Sequence, residues 1–387
     1  MKRLMKSIVV LMVIAIAFVS GNAVTEEQDT VIGFGFVNDK DVAVRYEPNG
    51  DHFTRLPQDT CVWISDARTD EKGVLWYKIN SGIYREYAHK EYHGWMMAKF
   101  IDAGNDVWND VAEVSADDGG MIVRKKDGSV VIAGKQATVH GSPWQNMRRW
   151  AEHIKDARQV SVQYNRGYCL LDENGYFHTT DPDNTAFLQQ PLRMMEGRSD
   201  VMFSITQDGK LINYAGREIE TKPWMEDGTL DRVTQMTGND EYVLLLTDHG
   251  DVLAYEYQHN ALGTPPPDWQ QWHHIRSMDT AWIKPGKTPL LSYTGVRMDG
   301  TVLAHPQQVS SAVSGWTEIK KAEIGRSWIA GLKEDGTCVS AGLEGKNPVD
   351  VSGWTDIVDI EAGGDYLVGV KQDGTLVFSG SFSFVDQ

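Results

Sequence analysis

The sequence predicts an all-β fold built from small repeated β-sheets arranged as the blades of a closed array. A polar residue followed by glycine recurs seven times between apolar stretches, and successive glycines lie 34 to 50 residues apart. Repeats of this length are typical of radial or stacked architectures. The seven pairs are Asp127-Gly128, Asn174-Gly175, Asp208-Gly209, His249-Gly250, Asp299-Gly300, Asp335-Gly336 and Asp373-Gly374.

Each of these pairs is predicted to form a two-residue hairpin loop. Asp-Gly and Asn-Gly suit a type I′ turn, because both central residues need a positive φ, which Gly takes freely and Asn or Asp tolerates. His249 fits this prediction poorly.

The N-terminus, residues 1–23, has the pattern of a secretory signal peptide. Three basic residues precede the apolar run Ile8–Val19, and small residues at Gly21–Ala23 suit cleavage. The run is short for a bilayer span and polar residues follow at once, so an uncleaved anchor is the less favoured alternative. We expect an extracellular or cell-wall-associated protein, with residues 24–32 as a linker and no membrane span after cleavage.

The formal net charge of −17 limits the classes of molecule that the protein is expected to bind. A strongly acidic surface repels nucleic acid and anionic membranes, so neither is expected as a partner. The same acidity also keeps exported proteins soluble.

Three cysteines, Cys61, Cys169 and Cys338, are an odd number for an exported chain, and small buried thiols are the favoured interpretation for all three.

Residues 33–103 show a strand pattern that differs from the repeats. Val42-Ala43-Val44-Arg45 alternates, a turn at Pro48-Asn49-Gly50 follows, and Trp76-Tyr77-Lys78-Ile79 and Gly94-Trp95-Met96 come later. These elements resemble the bacterial Src-homology-3-like (SH3b-type) family. Leu75 stands where that family has Gly before Trp76. The resemblance implies a small β-barrel and a targeting role, with cell-wall peptidoglycan or a short peptide as partner.

An insertion, Asn80–His93, separates the central and closing strands of this pattern. It carries candidate ligand-binding residues, namely Tyr84, Tyr87, Tyr92 and His89. Tyrosines on a loop offer rigid, amphipathic surface, which recognition loops favour. A longer hairpin with partly buried tyrosines is the alternative. His89 and His93 lie four residues apart, but without a third firm ligand no metal site is expected.

The repeat itself is clearest near the C-terminus. Ser314-Gly315-Trp316-Thr317-Glu318-Ile319 is matched by Ser352-Gly353-Trp354-Thr355-Asp356-Ile357, and each leads to a Gly-x-x-x-Asp-Gly turn. These residues resemble the bacterial form of the regulator-of-chromosome-condensation propeller family. The resemblance implies a seven-bladed β-propeller over residues 104–387. Trp328 and Tyr366 stand where that family often has His, so no role of that imidazole is carried over.

Several further expectations concern the repeat region. Trp316 and Trp354 are expected to wedge between neighbouring blades, and residues 139–158 are long enough for a short helix. Ring closure needs a strand from one terminus, which either Ser381–Val385 or Val111–Val114 could supply. A loop between the fourth and fifth turns carries Trp269 and Trp272, which are further candidate ligand-binding residues.

No catalytic constellation is recognisable in the sequence. Gly-x-Ser-x-Gly, Cys-x-x-Cys and a phosphate-binding glycine loop are all absent. We therefore expect no catalytic residues and no cofactor. The favoured function is an exported recognition or adaptor protein, whose barrel binds the cell wall and whose propeller binds a protein or glycan partner. The alternatives are a secreted glycan-active hydrolase or lyase, which would need paired carboxylates with displaced pKa values in one pocket, and a toxin-like factor that acts on another cell.

Overall fold

A computed structural model describes most of the chain after residue 30. The described residues are 31–85, 88–135, 144–163, 167–181, 190–198, 201–213, 216–219, 228–239, 241–256, 267–284 and 289–384. The predicted signal peptide and nearly all of the predicted linker lie outside them. The described chain is all-β, as expected: its strands form one seven-stranded and seven three-stranded antiparallel sheets. Residues 31–387 form one compact unit.

The seven-stranded sheet, here called the N-terminal sheet, covers the region in which the small barrel was predicted. Its strand order is β3-β2-β6-β5-β4-β1-β7. Apolar side chains such as Val44, Ile64, Ile79 and Met96 form its core. The strands are β1 Gly33–Val37, β2 Val42–Arg45, β3 His52–Leu56, β4 Cys61–Thr69, β5 Leu75–Arg85, β6 Ala88–Met97 and β7 Ile101–Ala103.

The insertion Asn80–His93 is part of a long β-hairpin rather than a loop. Strands β5 and β6 continue their ladder through it, with Asn80 opposite His93 and Tyr84 opposite His89. Tyrosine and isoleucine, both present in the insertion, favour strands. The hairpin alternative is therefore the one that the structure has. Tyr87, between the two strands, lies outside the described residues.

Seven three-stranded sheets follow, each made from one continuous stretch of chain and each containing one of the predicted turns. We number them sheets 1 to 7 in chain order. Their strands are β8 Val111–Asp117, β9 Gly120–Lys125 and β10 Val130–Gly134; β11 Ala157–Gln163, β12 Gly167–Asp172 and β13 Phe177–Thr179; β14 Leu192–Arg198, β15 Val201–Thr206 and β16 Leu211–Asn213; β17 Val233–Gly238, β18 Tyr242–Thr247 and β19 Val252–Glu256; β20 Ile275–Ile283, β21 Leu290–Arg297 and β22 Val302–His305; β23 Ile319–Ile324, β24 Trp328–Lys333 and β25 Cys338–Gly342; β26 Ile357–Ala362, β27 Tyr366–Lys371 and β28 Leu376–Gly380.

The turns themselves differ from the predicted type. In all seven the glycine has φ between +77° and +85°, whereas the residue before it does not take a positive φ. The glycine N–H donates to the carbonyl three residues earlier at 2.9 to 3.1 Å. This is a three-residue loop with glycine in the left-handed position, not a type I′ turn. His249 is accommodated because its position does not need a positive φ.

A repeated hydrogen bond joins six of the seven turns to the sheet that follows; before sheet 4, the N–H of Val233 donates instead to the carbonyl of Leu230. The carbonyl of the turn glycine accepts from the first residue of the next sheet, as from Ala157 to Gly128 at 3.0 Å and from Ile357 to Gly336 at 3.0 Å. The same bond runs from Val111 of sheet 1 to Gly374 of sheet 7, at 2.9 Å. Sheet 7 therefore joins sheet 1 by the same bond that links five of the six other neighbouring pairs, and the array is closed.

Within the described residues, closure does not use an exchanged strand, contrary to expectation. Sheet 1 and sheet 7 each take all three strands from their own segment, and residues 381–384 form no strand. Val111–Val114 belongs to β8, within sheet 1. Across the junction, the Tyr366 hydroxyl donates to the carbonyl of Gly120 at 2.7 Å. Tyr366 thus ties sheet 7 to sheet 1.

The N-terminal sheet packs over this junction through five aromatic residues, which we call the aromatic seam: Phe34, Trp63, Tyr366, Phe378 and Phe382. Ring centroids are 5.0 Å apart for Phe34 and Trp63, 5.6 Å for Phe34 and Tyr366, and 5.9 Å for Trp63 and Phe378. Phe34 and Trp63 come from the N-terminal sheet, and Tyr366 and Phe378 from sheet 7. All five rings are buried, so the two regions share one core.

Residues 381–384, at the C-terminal end of the described chain, form polar bonds with the N-terminal sheet. The Asn80 side chain donates to the carbonyl of Phe382 at 3.0 Å, and the backbone N–H of Phe384 donates to Glu91 at 2.7 Å. Residue 82 is glycine, and a Cβ there would lie 2.5 Å from Phe384. Residues 381–384 therefore bind to the β5–β6 hairpin instead of extending a repeat sheet.

A short helix, α1 Trp144–His153, lies in the segment for which one was predicted. Trp144, Met147 and Ala151 are buried at helical spacing. The Trp144 indole donates to the carbonyl of Asp59 at 3.0 Å, and the Arg148 guanidinium lies 4.2 Å from the Phe36 ring centroid. The helix thus adds to the contact with the N-terminal sheet. A second helix, α2 Gln307–Ala312, follows sheet 5.

The repeat tryptophans lie between neighbouring sheets, as predicted. Trp316 packs among residues of sheets 5 and 6, and Trp354 among residues of sheets 6 and 7. Each ring covers a glycine of the middle strand: a Cβ on Gly331 would lie 2.8 Å from Trp316, and one on Gly369 would lie 2.6 Å from Trp354. The glycine of the repeat and its tryptophan are therefore one packing unit.

This packing predicts the effect of adding one methyl group. Gly331→Ala should lower the free energy of unfolding by about 1–3 kcal/mol, because the Cβ would overlap the Trp316 ring. Urea denaturation followed by circular dichroism measures the change. Gly353→Ala is the matched control, since a Cβ there meets nothing within 4 Å. Equal stability of the two variants would contradict the packing role.

Candidate functional site

The N-terminal sheet carries three adjacent aromatic side chains on its surface, Tyr46, Phe53 and Tyr92, which we call the aromatic strip. Ring centroids are 4.6 Å apart for Tyr46 and Phe53 and 6.5 Å apart for Phe53 and Tyr92, the second pair being nearly parallel. Tyr46 is 70% exposed. The Lys90 ammonium lies 5.2 Å from the Tyr92 ring centroid. The strip is thus an accessible aromatic surface with one cation beside it.

Strand pairing brings the three rings together. Tyr46 directly follows β2, Phe53 lies in β3 and Tyr92 lies in β6, and β2 pairs with both other strands. Residue 94 is glycine, and a Cβ there would lie 2.9 Å from the Phe53 ring. The missing side chain lets the Phe53 ring lie across β6. Flat rings of this kind can stack on a sugar face or on the apolar part of a peptide.

Of the ligand-binding residues predicted in the insertion, the structure brings only one into the aromatic strip. Tyr92 belongs to the aromatic strip. Tyr84 and His89 pair across the outer end of the β5–β6 hairpin, but their side chains, and all of Tyr87, lie outside the described residues. The sequence reasoning missed Tyr46 and Phe53. Their positions before and after the Pro48-Asn49-Gly50 turn could have suggested a hairpin, but not the approach of that hairpin to Tyr92.

Trp269 and Trp272 lie in the repeat region, in the core between sheets 4 and 5. Their ring centroids are 5.2 Å apart, and Trp269 is 5.1 Å from Tyr293. Trp272 is only 5% exposed and covers Gly295, as Trp316 covers Gly331. Trp272 is therefore the packing tryptophan of sheet 5. A ligand role for this pair stays a prediction.

The first strands of the repeat sheets surround a central cavity of about 230 Å³. The third and fifth residues of these strands supply most of its polar lining, which is rich in carboxylates. Among the lining residues are Glu113, Gln159, Glu196, Gln235, Asp279, Lys321, Glu323, Asp359 and Glu361. Aligning the repeats on the first residue of each sheet would have revealed this set, whose members are far apart in sequence.

Many of these side chains bond the backbone of the following sheet. Gln159 exchanges two hydrogen bonds with the backbone of Met195, at 2.6 and 3.2 Å, and Gln235 does the same with Met278, at 2.8 and 3.0 Å. Asp279 accepts from the N–H of Ile324 at 2.8 Å. A first strand has a backbone edge without a strand beside it, so these bonds satisfy groups that would otherwise lack partners.

Lys321 binds three carboxylates of this cavity. Its ammonium lies 2.9 Å from Asp359, 2.5 Å from Glu361 and 3.4 Å from Glu323. Burial alone would lower the pKa of Lys321, but these carboxylates hold it well above its ordinary value. Burial raises the pKa of Glu361 to about 8, against the lowering effect of Lys321. The cluster joins sheet 6 to sheet 7.

Burial also raises the pKa of Glu113, whose carboxylate accepts from Arg124 at 2.8 Å and from the N–H of Val160 at 3.4 Å. The cavity thus contains carboxylates with displaced pKa values, as the hydrolase or lyase alternative requires. Their bonds, however, join neighbouring sheets, which gives them a structural role. The expectation of no catalytic activity stays a prediction.

A second cavity, the mouth cavity, opens where the first strands end. Its volume is about 240 Å³, and its lining includes Asp118, Asn239, Trp282 and Arg326. Arg326 pairs with Asp118 at 2.7 Å and with Asp365 at 3.4 Å, and each of these side chains is about a third exposed. Burial raises the pKa of Asp365 more than Arg326 lowers it. The cavity offers a fixed group of charged side chains beside one aromatic ring.

The cysteines are thiols with no sign of reactivity. Cys61 and Cys169 are buried, and Cys338 is partly buried. Burial raises the pKa of Cys61 and of Cys338 to about 12. A thiol with so high a pKa is protonated near neutral pH and is a poor nucleophile.

Within the described residues, no helix is long and apolar enough to cross a membrane. In the same part of the chain, no group of three or more His, Cys, Asp or Glu side chains is arranged to hold a metal ion.

Comparison with known proteins gives similarity of fold only. No protein-family model and no curated protein sequence matches the chain. Among solved structures, it resembles the CRINKLY WD40 ectodomain of the Arabidopsis thaliana receptor kinase ACR4, at 12% identity over 70% of this chain and 95% of that chain, with a TM-score of 0.46. It also resembles one chain of the complex of Kap60 with yeast RCC1 (Prp20), at 12% identity over 70% of each chain, with a TM-score of 0.36.

A third similar structure is BamB from Moraxella catarrhalis, at 11% identity over 90% of this chain and 96% of that chain, with a TM-score of 0.35. Small antiparallel sheets in series are consistent with a propeller-like fold. At these identities and scores, no residue role is transferred.

The raised pKa of Glu361 predicts a pH dependence of stability. Because its folded pKa lies above its unfolded value near 4.5, the stability linked to this proton is complete below pH 4.5 and is lost as the pH rises towards 8. Glu361→Gln should remove up to about 1.4 kcal/mol per pH unit of that slope. Unfolding in urea at pH 5, 6.5 and 8 measures it. Glu71→Gln, an exposed control, should keep the wild-type slope, and an unchanged slope in Glu361→Gln would contradict the assignment.

Proposed function

We propose that this protein is an exported bacterial recognition protein, in which an SH3-like barrel, residues 33–103, binds cell-wall peptidoglycan or a short peptide and a seven-bladed propeller, residues 104–387, binds a protein or glycan partner. The aromatic strip is the observation that carries the proposal. The alternation and the Gly-Trp motif that resemble the SH3-like family fall within the N-terminal sheet. The seven three-stranded sheets would be the blades.

The aromatic strip is suited to binding because it places the exposed Tyr46 ring beside the half-buried rings of Phe53 and Tyr92. Most large side chains of the N-terminal sheet are buried, including Trp63, Trp76 and Trp95. Tyr46, by contrast, is 70% exposed beside two further rings. Contiguous exposed apolar surface of this kind often marks an interaction site. Lys90 beside Tyr92 adds a cation that could pair with a peptide or muramyl carboxylate.

The shared core between the N-terminal sheet and sheet 7 sets the form of the adaptor. Because the aromatic seam is buried, the strip and the repeat sheets would move as one body rather than as modules on a flexible linker. A partner bound by the propeller would then be held at a fixed position relative to the wall. This arrangement supports a display or scaffolding role.

The proposal predicts that the full-length protein co-sediments with purified peptidoglycan and that Tyr46→Ala and Tyr92→Ala each weaken binding at least about tenfold, the effect of losing about 1.4 kcal/mol of stacking. Tyr176→Ala, which removes another exposed tyrosine from sheet 2, is the control and should bind normally.

Circular dichroism must first show that the variants are folded. Wild-type binding by both strip variants would contradict the strip as the wall-binding surface. Absence of wall binding by the wild-type protein would contradict the targeting role itself.

A further inference from the structure

We propose that the mouth cavity binds one ring of an uncharged sugar, with Trp282 as the stacking platform and the Asp118–Arg326–Asp365 cluster as hydrogen-bonding partner. The inference rests on the proposed function, since it names the ligand class and the site for the propeller. It does not depend on the aromatic strip, which lies on a different sheet.

The shape of the cavity limits the size of the ligand. Small residues from five sheets form much of its wall, namely Ala116, Gly238, Ala281, Gly325, Ala362 and Gly364. Its volume of about 240 Å³ is below the roughly 300–1,000 Å³ of pockets that take drug-sized molecules. It can therefore enclose a single small group, such as one sugar ring, while the rest of a chain remains outside.

The position of Trp282 follows from the length of its strand. The first strands of sheets 6 and 7 are six residues long, whereas β20 of sheet 5 has nine. Trp282 is the eighth residue of β20 and pairs with Leu291, so it lies beyond the level at which the shorter strands end. It is half-buried and lines the cavity. An aromatic face at a cavity rim can cover the apolar C–H face of a sugar.

The charged cluster is held in place before any ligand binds. Arg326 pairs with Asp118 and Asp365 through its side chain, and its backbone N–H donates to the carbonyl of Gly364 at 2.9 Å. Its own carbonyl accepts from the N–H of Lys284 at 2.7 Å. A ligand that bonds to these groups would not have to order them, which lowers the entropic cost of binding.

The charge balance favours an uncharged ligand. The carboxylates of Asp117, Asp118 and Asp365 and one guanidinium leave two net negative charges, and the acidic central cavity adds more, so an anion would be repelled. A cation would compete with Arg326 for carboxylates that it already holds. A hydroxyl group can donate to a carboxylate, which has about four lone-pair positions, without displacing the arginine. Neutral sugars carry several hydroxyl groups and an apolar face together.

Isothermal titration of the full-length protein with the N-acetylglucosamine dimer, cellobiose and maltose tests the inference. We expect at least one to bind at concentrations up to about 10 mM, where weak ligands still register. Trp282→Ala should weaken that binding at least about tenfold, Trp282→Phe less, and Asp118→Asn should weaken it as well. Tyr176→Ala is the control and should not change it.

Three outcomes would overturn the inference: no binding of any of the three sugars, wild-type binding by folded Trp282→Ala, or tighter binding of a trilysine peptide than of every sugar. Asp118→Asn could disturb the Arg326 pairs, so the two Trp282 variants decide the result independently of it. Failure of the wall-binding proposal would be seen in a different experiment, as normal co-sedimentation of Tyr46→Ala with peptidoglycan. The two proposals can therefore fail separately.

Discussion

The aromatic seam is the contact on which the rest of this structure depends. A ring of sheets must be closed where its last sheet meets its first, and no strand of the described part of the chain crosses that junction. Backbone bonds and the Tyr366 hydroxyl join sheet 7 to sheet 1, and Phe34 and Trp63 of the N-terminal sheet cover the place where they meet. The N-terminal sheet is thus part of the closure as well as a candidate binding module.

This arrangement gives the polar interior a structural explanation. First strands packed around an axis leave one backbone edge without a neighbouring strand, and the glutamine and carboxylate side chains of the central cavity bond that edge from sheet to sheet. Lys321 keeps its charge among three carboxylates while joining the last two sheets. The aromatic strip and the mouth cavity are two further features, and both are open to solvent. We propose that ligands bind at these two features.

The parts of the fold that follow from local sequence could be predicted, and the parts that depend on distant contacts could not. Turn glycines such as Gly336 mark every repeat sheet because the left-handed position requires them, and Trp316 signals the packing against Gly331 only 15 positions later. The seam was missed because its contacts join the two ends of the chain, as Phe34 and Phe382 do at a ring-centroid distance of 4.7 Å. Tyr46 was not predicted as a site residue because it lies near Tyr92 only through the pairing of β2 with β3 and β6.

Hydrogen exchange measured by mass spectrometry on the wild-type protein and Trp63→Ala tests the closure most directly. If the N-terminal sheet secures the ring, removing this seam ring should increase exchange in β8 and β26–β28, on both sides of the junction, and leave sheet 4 as protected as before. Increased exchange confined to the N-terminal sheet, with unchanged protection of sheets 1 and 7, would show that the ring closes without it and would contradict the account.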